Sequence, residues 1–372
     1  MYFVKMELFV VRIPFRFSFK HSLATRKEAD SIIILLHSDD DSVGYGEVIP
    51  RHYLTGETIH SAIDYLQNVA WHSIAALNFS QDTMPLILSQ LYEEAEQSSQ
   101  LMAYSGLDIA IHDIVAKAAN IPMWKLYGIP PKSVKLTAVI GEIGKRKAYW
   151  LSRLFYWLGF KEYKVKIRDE SSFERLAAVR KAIGYSCDLR VDANTGIDPS
   201  NVCNFAERLK SFSISSIEEP TLPRNYELLA KINTIVPVMA DESLCSTSDA
   251  KKLIDTNSAN IFNIRLGKVG GFTGVNEILK LANQRNIACQ LGVLVGETAL
   301  LSQAGRHITG WHNWIHVEYG FSRFLLKKDP FSPAPWGIHG ISELPKDVPG
   351  IGVNVNLSKL KRITEKYIKL TK

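Results

Sequence analysis

Hydrophobic and polar residues alternate along the first 50 residues in the manner of antiparallel strands. The stretches "SIIILLHS" and "VGYGEV" flank an acidic turn at 39–41, which predicts a hairpin. From about Thr58 to Asn120 the apolar residues recur instead at helical spacing, and this pattern stops before Pro122. The first third of the chain is therefore predicted to be an antiparallel sheet followed by helices.

A different rhythm follows the Gly/Pro-rich break "YGIPPKS", where short apolar strands alternate with amphipathic helices. About seven or eight such units fit between residues 133 and 320, and the alternation predicts a parallel sheet. That number favours a closed (β/α) barrel over a doubly wound sheet. We predict an α+β domain at 1–128, a barrel at 129–320 and a C-terminal segment at 321–372 that returns to the first domain.

Composition narrows the class of protein. The 372 residues are 46% hydrophobic and 22% charged, and the net charge of +6 is spread without a basic block. Neither a signal peptide nor an apolar run of about 20 residues is evident, and the four cysteines lack metal-type spacing. We expect a reduced cytoplasmic protein, a homo-oligomer, that binds a small carboxylate and neither nucleic acid nor a membrane.

Charged side chains recur at the predicted strand ends. They are Lys166, Asp192, Glu218, Asp241 and Lys268, which are separated by 26, 26, 23 and 27 residues. One strand–helix unit per step explains this period. Because barrel enzymes build their sites at the carboxyl ends of the strands, we expect these side chains to meet at one mouth.

The three acids of this set, Asp192, Glu218 and Asp241, would repel one another at such a mouth. A single strand-end acid is more often the cap of the next helix, but three in register favour metal ligands. Carboxylate oxygens are the ligands that Mg²⁺ prefers, and Mg²⁺ leaves positions open for substrate oxygens. We predict one Mg²⁺ per subunit, with Mn²⁺ as an alternative ion.

The lysines have a second interpretation besides a solvated face. In a strand, Lys164 and Lys166 share one side because side chains repeat every two residues. Lys166 ends the second predicted strand and Lys268 the sixth, so these two lie on opposite sides of a barrel. We predict that Lys166 and Lys268 transfer protons at the α-carbon of a carboxylate, and that Lys164 helps to stabilise the enolate.

The same residues form motifs that resemble the muconate-lactonizing subgroup of the enolase superfamily. The motifs are K-V-K at 164–166, D-A-N at 192–194, E-E-P at 218–220, A-D-E-S at 240–243 and K-V-G-G at 268–271. The resemblance covers nearly the whole chain. It implies an α+β capping domain over a modified (β/α)₇β barrel, and it implies the metal and acid–base roles given above.

The resemblance also implies where the substrate is recognised. Substrate contacts in this subgroup come from loops of the capping domain and from the end of the barrel's last strands. Dipeptide epimerases of the subgroup usually carry Asp-x-Asp after the last strand, whereas this chain has His316-Val317-Glu318. The resulting candidates are His21, Arg26, Arg51, Tyr53, Asn194, Glu297 and Glu318. An exposed arginine on a loop is more often solvated, and this alternative stays open for the two arginines.

Three functions are compatible with these residues. We favour a racemase or epimerase of an amino-acid derivative or dipeptide, because two opposed lysines suit proton transfer to either face. Cycloisomerisation, or elimination of the o-succinylbenzoate synthase type, would share the enolate intermediate. A non-catalytic ligand-binding barrel is a third hypothesis, and it leaves five costly charges at one mouth unexplained.

Overall fold

The chain folds into a barrel and an N-terminal domain, the cap, that packs against one end of the barrel. The computed structural model describes residues 1–21, 24–318, 322–335 and 337–372, and within these ranges every side chain except those at 19–21, 24, 25 and 338. The side chain of the candidate His21 therefore lies outside the described part. Among the described residues, every helix is too short or too polar to span a lipid bilayer.

The N-terminal domain consists of long antiparallel strands and helices that pack on one side of them. Strands β2 and β3 form the predicted hairpin, with residues 39–42 between them. The elements are β1 Phe3–His21, β2 Ala24–Ser38, β3 Val43–Val48, α1 His52–Thr55, α2 Ile59–Tyr65, a π-helical turn Leu66–Ala70, α3 Trp71–Ala75, α4 Met84–Gln97, α5 Leu101–Ala118 and a 3₁₀ turn Met123–Leu126.

Eight parallel strands, paired in sequence order, form the barrel sheet, and seven helices connect them. The elements are β4 Thr137–Ile140, α6 Lys145–Trp157, β5 Glu162–Lys166, α7 Ser171–Ile183, β6 Asp188–Asp192, α8 Val202–Leu209 with a 3₁₀ turn Lys210–Phe212, β7 Ile217–Glu218, α9 Tyr226–Asn233, β8 Val238–Ala240, α10 Thr247–Asp255, β9 Ile261–Arg265, α11 Gly271–Arg285, β10 Ala288–Gly292, α12 Ala299–His307 and β11 His316–Val317. The predicted fold class, a (β/α)₇β barrel with an α+β capping domain, is confirmed.

The C-terminal residues lead back to the first sheet. The elements are α13 Ser322–Leu325, β12 Phe331–Ser332, β13 Gly337–Ile338, β14 Ile341–Ser342, β15 Asn354–Val355, α14 Leu357–Arg362 and β16 Thr364–Thr371. Strand β16 pairs antiparallel with β1, from Lys5 opposite Thr371 onward, and the first sheet has the order β16-β1-β2-β3.

Helix α5 lies directly on β3 because glycines remove the side chains between them. A Cβ at Gly46 would come within 1.9 Å of the carbonyl oxygen of Gly106 on α5. A larger residue at position 46 would therefore push the strand and the helix apart. Residues 101–116 of α5 are all buried. The helix thus serves as the core of the N-terminal domain and also contacts the barrel.

Two fully buried acids fasten the cap to the carboxyl-end side of the barrel. Asp108 on α5 accepts a hydrogen bond of 2.6 Å from the amide of Phe272, at the start of α11. Glu47 on β3 accepts from the amide and hydroxyl of Thr298, just before α12, at 3.0 and 2.7 Å. Each acid accepts hydrogen bonds from an amide at the start of a barrel helix, where amides have no partner within the helix, and these bonds hold the cap over the ends of the strands.

Candidate active site

Strands β5 and β6 supply the first charged side chains inside the barrel. Lys164 is in register with Arg190, and Lys166 is in register with Asp192. Because alternate residues of a strand share a face, all four side chains point into the barrel. Lys164 is 3% exposed, and the side chain of Lys166 is 12% exposed. The two lysines therefore do not form a solvated face.

The three predicted metal ligands lie at the carboxyl ends of neighbouring strands. Asp192, Glu218 and Asp241 are each fully buried. The Lys164 ammonium lies 3.2 Å from Oδ2 of Asp192 and 3.2 Å from Oε2 of Glu218. The guanidinium of Arg265 lies 3.5 Å from Oε1 of Glu218 and also contacts Oδ2 of Asp241. The ammonium of Lys164 and the guanidinium of Arg265 thus each contact two of the three acids.

Burial and charge divide these acids into two kinds. Burial, followed by the charge of Asp192, raises the pKa of Glu218 to about 7. Burial also opposes the ionisation of Asp192. The charges of Lys166 and of the other lysine on β5 outweigh the effect of burial, and the pKa of Asp192 is lowered. For Asp241 the charge of Arg265 likewise outweighs burial and lowers the pKa. Glu218 is the acid with the least compensation.

The chemistry of this donor set fits Mg²⁺. The candidate ligands are buried carboxylate oxygens, and Oε2 of Glu242 and Oδ1 of Asn263, also buried, have no hydrogen-bond partner among the described residues. Across the same part of the chain, no three Asp, Glu, His or Cys side chains are arranged around a common metal position. Amines and a guanidinium separate the acids instead, and the metal assignment stays a prediction.

Lys166 is held at the mouth by the D-A-N segment. Its ammonium donates to Oδ2 of Asp192 at 2.6 Å and also to Oδ1 of Asn194. The backbone amide of Asn194 donates to Oδ1 of Asp192 at 3.0 Å, and its side-chain amide donates to Glu242 at 3.3 Å. Asn194 has φ of 41°, a conformation that Asn adopts more readily than most residues. These contacts fix the position of the Lys166 amine.

Lys268 occupies a different environment. It is fully buried, and its ammonium donates to the backbone oxygen and Oδ1 of Asp241 at 2.7 and 2.8 Å. A third bond of 3.2 Å goes to the backbone oxygen of Asn263. Lys268 is therefore next to a predicted metal ligand, and its predicted role in proton transfer stays a prediction.

Glu318 follows β11 and lies in a buried ion pair. Its Oε1 is 2.6 Å from the Lys164 ammonium and 3.4 Å from Nη2 of Arg190. Burial opposes the charge of Lys164, but the charges of Glu218 and Glu318 outweigh it and raise the lysine's pKa. Lys164 consequently stays an ammonium, as its predicted electrostatic role requires. The predicted contact of Glu318 with substrate stays a prediction.

Three further candidates, Arg51, Arg26 and Tyr53, belong to the N-terminal domain. Arg51 is 2% exposed and donates to the backbone oxygens of Pro50 and Val295 at 2.9 and 3.1 Å. Burial and the charge of Arg26 lower the pKa of Arg51 to about 10. The guanidinium of Arg26 lies 5.9 Å from the centre of the Tyr53 ring. Arg51 is therefore bonded within the protein, and contacts of all three residues with substrate stay predictions.

Glu297 is also bonded within the protein. It accepts from the hydroxyl of Ser302 at 2.7 Å and from the amide of Leu294 at 3.1 Å. Burial raises its pKa to about 7. These bonds stabilise the loop between β10 and α12, and the predicted substrate contact of Glu297 stays a prediction.

The sequence analysis did not consider Arg265 and Arg190 and gave no role to Glu242, and all three lie among the predicted residues. Spacing could have found Arg265, because it lies 24 residues after Asp241, within the range of the earlier steps of 26, 26 and 23. Alternation could have found Arg190, two residues before Asp192 on β6. Glu242 is part of the A-D-E-S motif at 240–243, beside Asp241, but the motif alone gave it no role.

Fold and site together define the class: a capped (β/α)₇β barrel with lysines and carboxylates gathered at the carboxyl ends of its strands. The chain belongs to the mandelate racemase / muconate lactonizing enzyme family of the enolase superfamily. Residues 4–128 match the mandelate racemase / muconate lactonizing enzyme N-terminal domain, and residues 151–359 match the enolase C-terminal domain-like family. The resemblance stated from the motifs is thereby confirmed.

Racemases and epimerases are among the relatives of this chain. A hydrophobic dipeptide epimerase from Enterococcus faecalis is 27% identical over 307 residues, which are 80% of this chain and 84% of that protein. The N-succinyl-L-Arg/Lys racemase from Bacillus cereus is 25% identical over 380 residues, covering 96% and 97%. These similarities confirm the predicted enzyme class, an isomerase of the enolase superfamily.

A solved structure extends the similarity to the whole fold. The dipeptide epimerase from Cytophaga hutchinsonii, complexed with Mg and the dipeptide D-Ala-L-Val, superposes with a TM-score of 0.88 at 25% sequence identity. The match covers 100% of both chains. A magnesium ion is therefore present in a relative with the same domain arrangement.

Proposed function

We propose that this enzyme is a Mg²⁺-dependent racemase or epimerase of an amino-acid derivative, either an N-acyl amino acid or a dipeptide. The observation that carries the proposal is the Lys166 ammonium, fixed 2.6 Å from a buried carboxylate at the edge of a set of acidic side chains. Racemase and epimerase activity in the relatives supports the reaction type. Cycloisomerisation and elimination are not favoured, because these relatives are an epimerase and a racemase.

In this proposal Asp192, Glu218 and Asp241 would hold the Mg²⁺ ion. When bound, the ion supplies positive charge next to the carboxylate of the substrate and lowers the cost of forming the enolate. A set of three oxygen donors suits an ion that keeps open positions for substrate oxygens. Compensation by a divalent cation is consistent with the raised pKa of Glu218.

The chain's own residues then perform the proton transfer. Lys166, as a neutral amine, takes the α-hydrogen as a proton, and the electron pair of the C–H bond enters the enolate of the substrate carboxylate. Asp192 and Asn194 orient the amine through the contacts given above. Lys164 stays charged and stabilises the negative charge on the carboxylate oxygens. Return of a proton to the opposite face gives the inverted product.

The test is a screen of N-succinyl amino acids and of dipeptides by chiral chromatography, with the purified enzyme and Mg²⁺. We expect interconversion of at least one pair of stereoisomers. Lys166→Ala should lower kcat by about 10² to 10⁴-fold, the range that a general base contributes. Lys181→Ala, at an exposed lysine on α7, serves as a matched control and should retain full activity. The proposal fails if no pair interconverts, or if Lys166→Ala is as active as the control.

A further inference from the structure

Helix α6, on the outside of the barrel, presents its large apolar side chains to solvent. Four of them are about half exposed or more, at 64, 48, 65 and 45%: Trp150, Leu154, Trp157 and Leu158. Their spacing of 4, 3 and 1 residues places them on one side of the helix, which we call the tryptophan face. The buried residues of α6 are the small Ala148 and Ser152. Core packing therefore does not account for the two tryptophans.

The tryptophan face lies in a stretch of the chain that carries cations and no acids. Between Glu142 and Glu162 there are five Lys or Arg residues and no Asp or Glu; the five cations are Lys145, Arg146, Lys147, Arg153 and Lys161. Lys145 lies 3.0 Å from Glu174 on α7. Arg146, Lys147 and Lys161 are exposed, and within the described ranges none of them forms an ion pair. The face is thus surrounded by positive charge.

The positions of three of these cations are unfavourable for the helix itself. Residues 145–147 form the first turn of α6, which contains no acid. The N-terminus of a helix carries partial positive charge, so acids stabilise the first turn and cations destabilise it. Neither the outward tryptophans nor these cations are explained by the stability of the fold, which favours a role in binding.

Cations and aromatic rings are interleaved on this side of the molecule. The guanidinium of Arg153 lies 5.4 Å from the ring centres of Tyr156 and of Trp157, and it donates to the backbone oxygen of Ala182 at 3.0 Å. The ammonium of Lys161 lies 4.5 Å from the centre of the Tyr156 ring. An anionic group held by these cations would therefore lie beside the aromatic rings.

The tryptophan face is separate from the active site. Helix α6 connects β4 to β5, so its C-terminal end, with Trp157 and Leu158, lies near the amino ends of the strands. The mouth lies at the opposite, carboxyl ends of the strands, under the cap. A partner bound to α6 thus leaves the entrance of the active site open to substrate.

We propose that the tryptophan face docks the enzyme on an anionic lipid surface, with the two tryptophan rings at the level of the lipid headgroups. Tryptophan is enriched at membrane–water interfaces, and clusters of Lys and Arg on an amphipathic helix bind anionic lipids. The inference departs from the expectation of no membrane partner, which followed from the lack of a long apolar run. Binding at a surface needs no such run, and it is independent of the proposed function.

Two other occupants fit the face less well. In a symmetric contact with a second copy of the chain the same patch meets itself, so the five cations of one copy would face those of the other. An acidic protein would compensate the cations. A lipid surface supplies both the negative charge and the interfacial layer that tryptophan prefers, and we therefore favour it.

The experiment is sedimentation of the purified full-length enzyme with extruded vesicles of phosphatidylcholine, with and without about 30% phosphatidylglycerol. We expect binding to the anionic vesicles at about 0.05 M NaCl, and at least about 10-fold weaker binding at about 0.5 M because salt screens the cations. Neutral vesicles should bind the enzyme at least about 10-fold more weakly than anionic ones.

Two double variants test the face itself. Trp150→Ser with Trp157→Ser removes the apolar anchors and should weaken binding at least about 10-fold. Arg146→Glu with Lys147→Glu should do the same, since one cation near an anionic surface contributes about fivefold. The matched control, Lys361→Glu with Arg362→Glu, makes the same charge change at exposed residues of α14 and should retain binding. Circular dichroism should show that all three variants fold like the wild type.

The inference is overturned if the wild type does not sediment with anionic vesicles, if it binds neutral vesicles equally, or if the α14 control loses as much binding as the face variants. A lower molar mass of the tryptophan variant in light scattering would assign the face to a second copy instead. Quenching of tryptophan fluorescence by phospholipids with brominated acyl chains tests the same contact in the wild type, without any substitution. Absence of quenching in the vesicle-bound enzyme would also contradict the inference.

Discussion

Replacement of Lys164 by methionine tests the electrostatic account of the site, because one ammonium there serves three buried acids. The Lys164 nitrogen lies 3.2 Å from Asp192, 3.2 Å from Glu218 and 2.6 Å from Glu318. Methionine has a similar length and fills the same space without the charge. The substitution therefore leaves these acids with less compensation and creates little empty volume.

The expected loss is large. Removing one partner of a buried ion pair costs about 3–5 kcal/mol, because the remaining charge stays buried without compensation. We expect Lys164→Met to lower the free energy of unfolding by about this amount at pH 8. The charge of Lys164 helps to lower the pKa of Asp192 and of Glu318, so in the variant these acids take up protons more readily. The deficit should therefore shrink as the pH falls from 8 to 5.

Urea denaturation followed by circular dichroism at pH 8 and pH 5, without divalent ions, measures both effects. Lys280→Met is a suitable control, since Lys280 pairs with Glu277 on the surface and its side chain is 57% exposed. An exposed pair contributes about 0–1 kcal/mol. A deficit below about 1 kcal/mol for Lys164→Met at pH 8, or one that does not change with pH, would refute the reasoning.

Three further predictions concern the contacts between the cap and the barrel, and the metal site. Asp108→Ala removes the acceptor for the first amides of α11 and should cost about 2 kcal/mol in urea denaturation; an unchanged midpoint would mean that the contact contributes nothing. Burial raises the pKa of Glu47 from its usual 4.5 to about 8, so its ionisation weakens the folded state as the pH rises through this window. Glu47→Gln should lack that decline between pH 5 and pH 8, and a parallel pH profile would disprove the assignment. Mg²⁺ should raise the melting temperature of the wild type, and Asp241→Asn should abolish most of the rise; an equal rise in both proteins would exclude Asp241 as a ligand.

Local sequence rules were sufficient for the barrel and for most of the charged mouth. The acids at 192 and 218 sit at the ends of strands that the apolar pattern defined, and β5 and β6 pair in register there. The period of two along β5 placed Lys164 and Lys166 on one inward face. These features depend on backbone geometry over a few residues, and the local pattern of apolar and polar residues predicts such geometry.

Local sequence rules could not predict the hydrogen bonds that join side chains to residues far away in the sequence. Arg51 donates to the backbone oxygen of Val295, which lies 244 residues later. Lys268 was counted as a strand-end group, yet the turn that starts at Arg265 carries its amine back toward Asn263. In both cases the direction of a side chain depends on which backbone oxygens the folded chain brings near it.

The measurement that tests the central claim most directly is α-proton exchange in D₂O with Mg²⁺, comparing the wild type with Lys166→Ala on N-succinyl amino acids and dipeptides. The account predicts that the α-proton signal of at least one compound disappears with the wild type and persists with Lys166→Ala. Persistence of every α-proton signal with the wild type, or equal loss with both proteins, would contradict it.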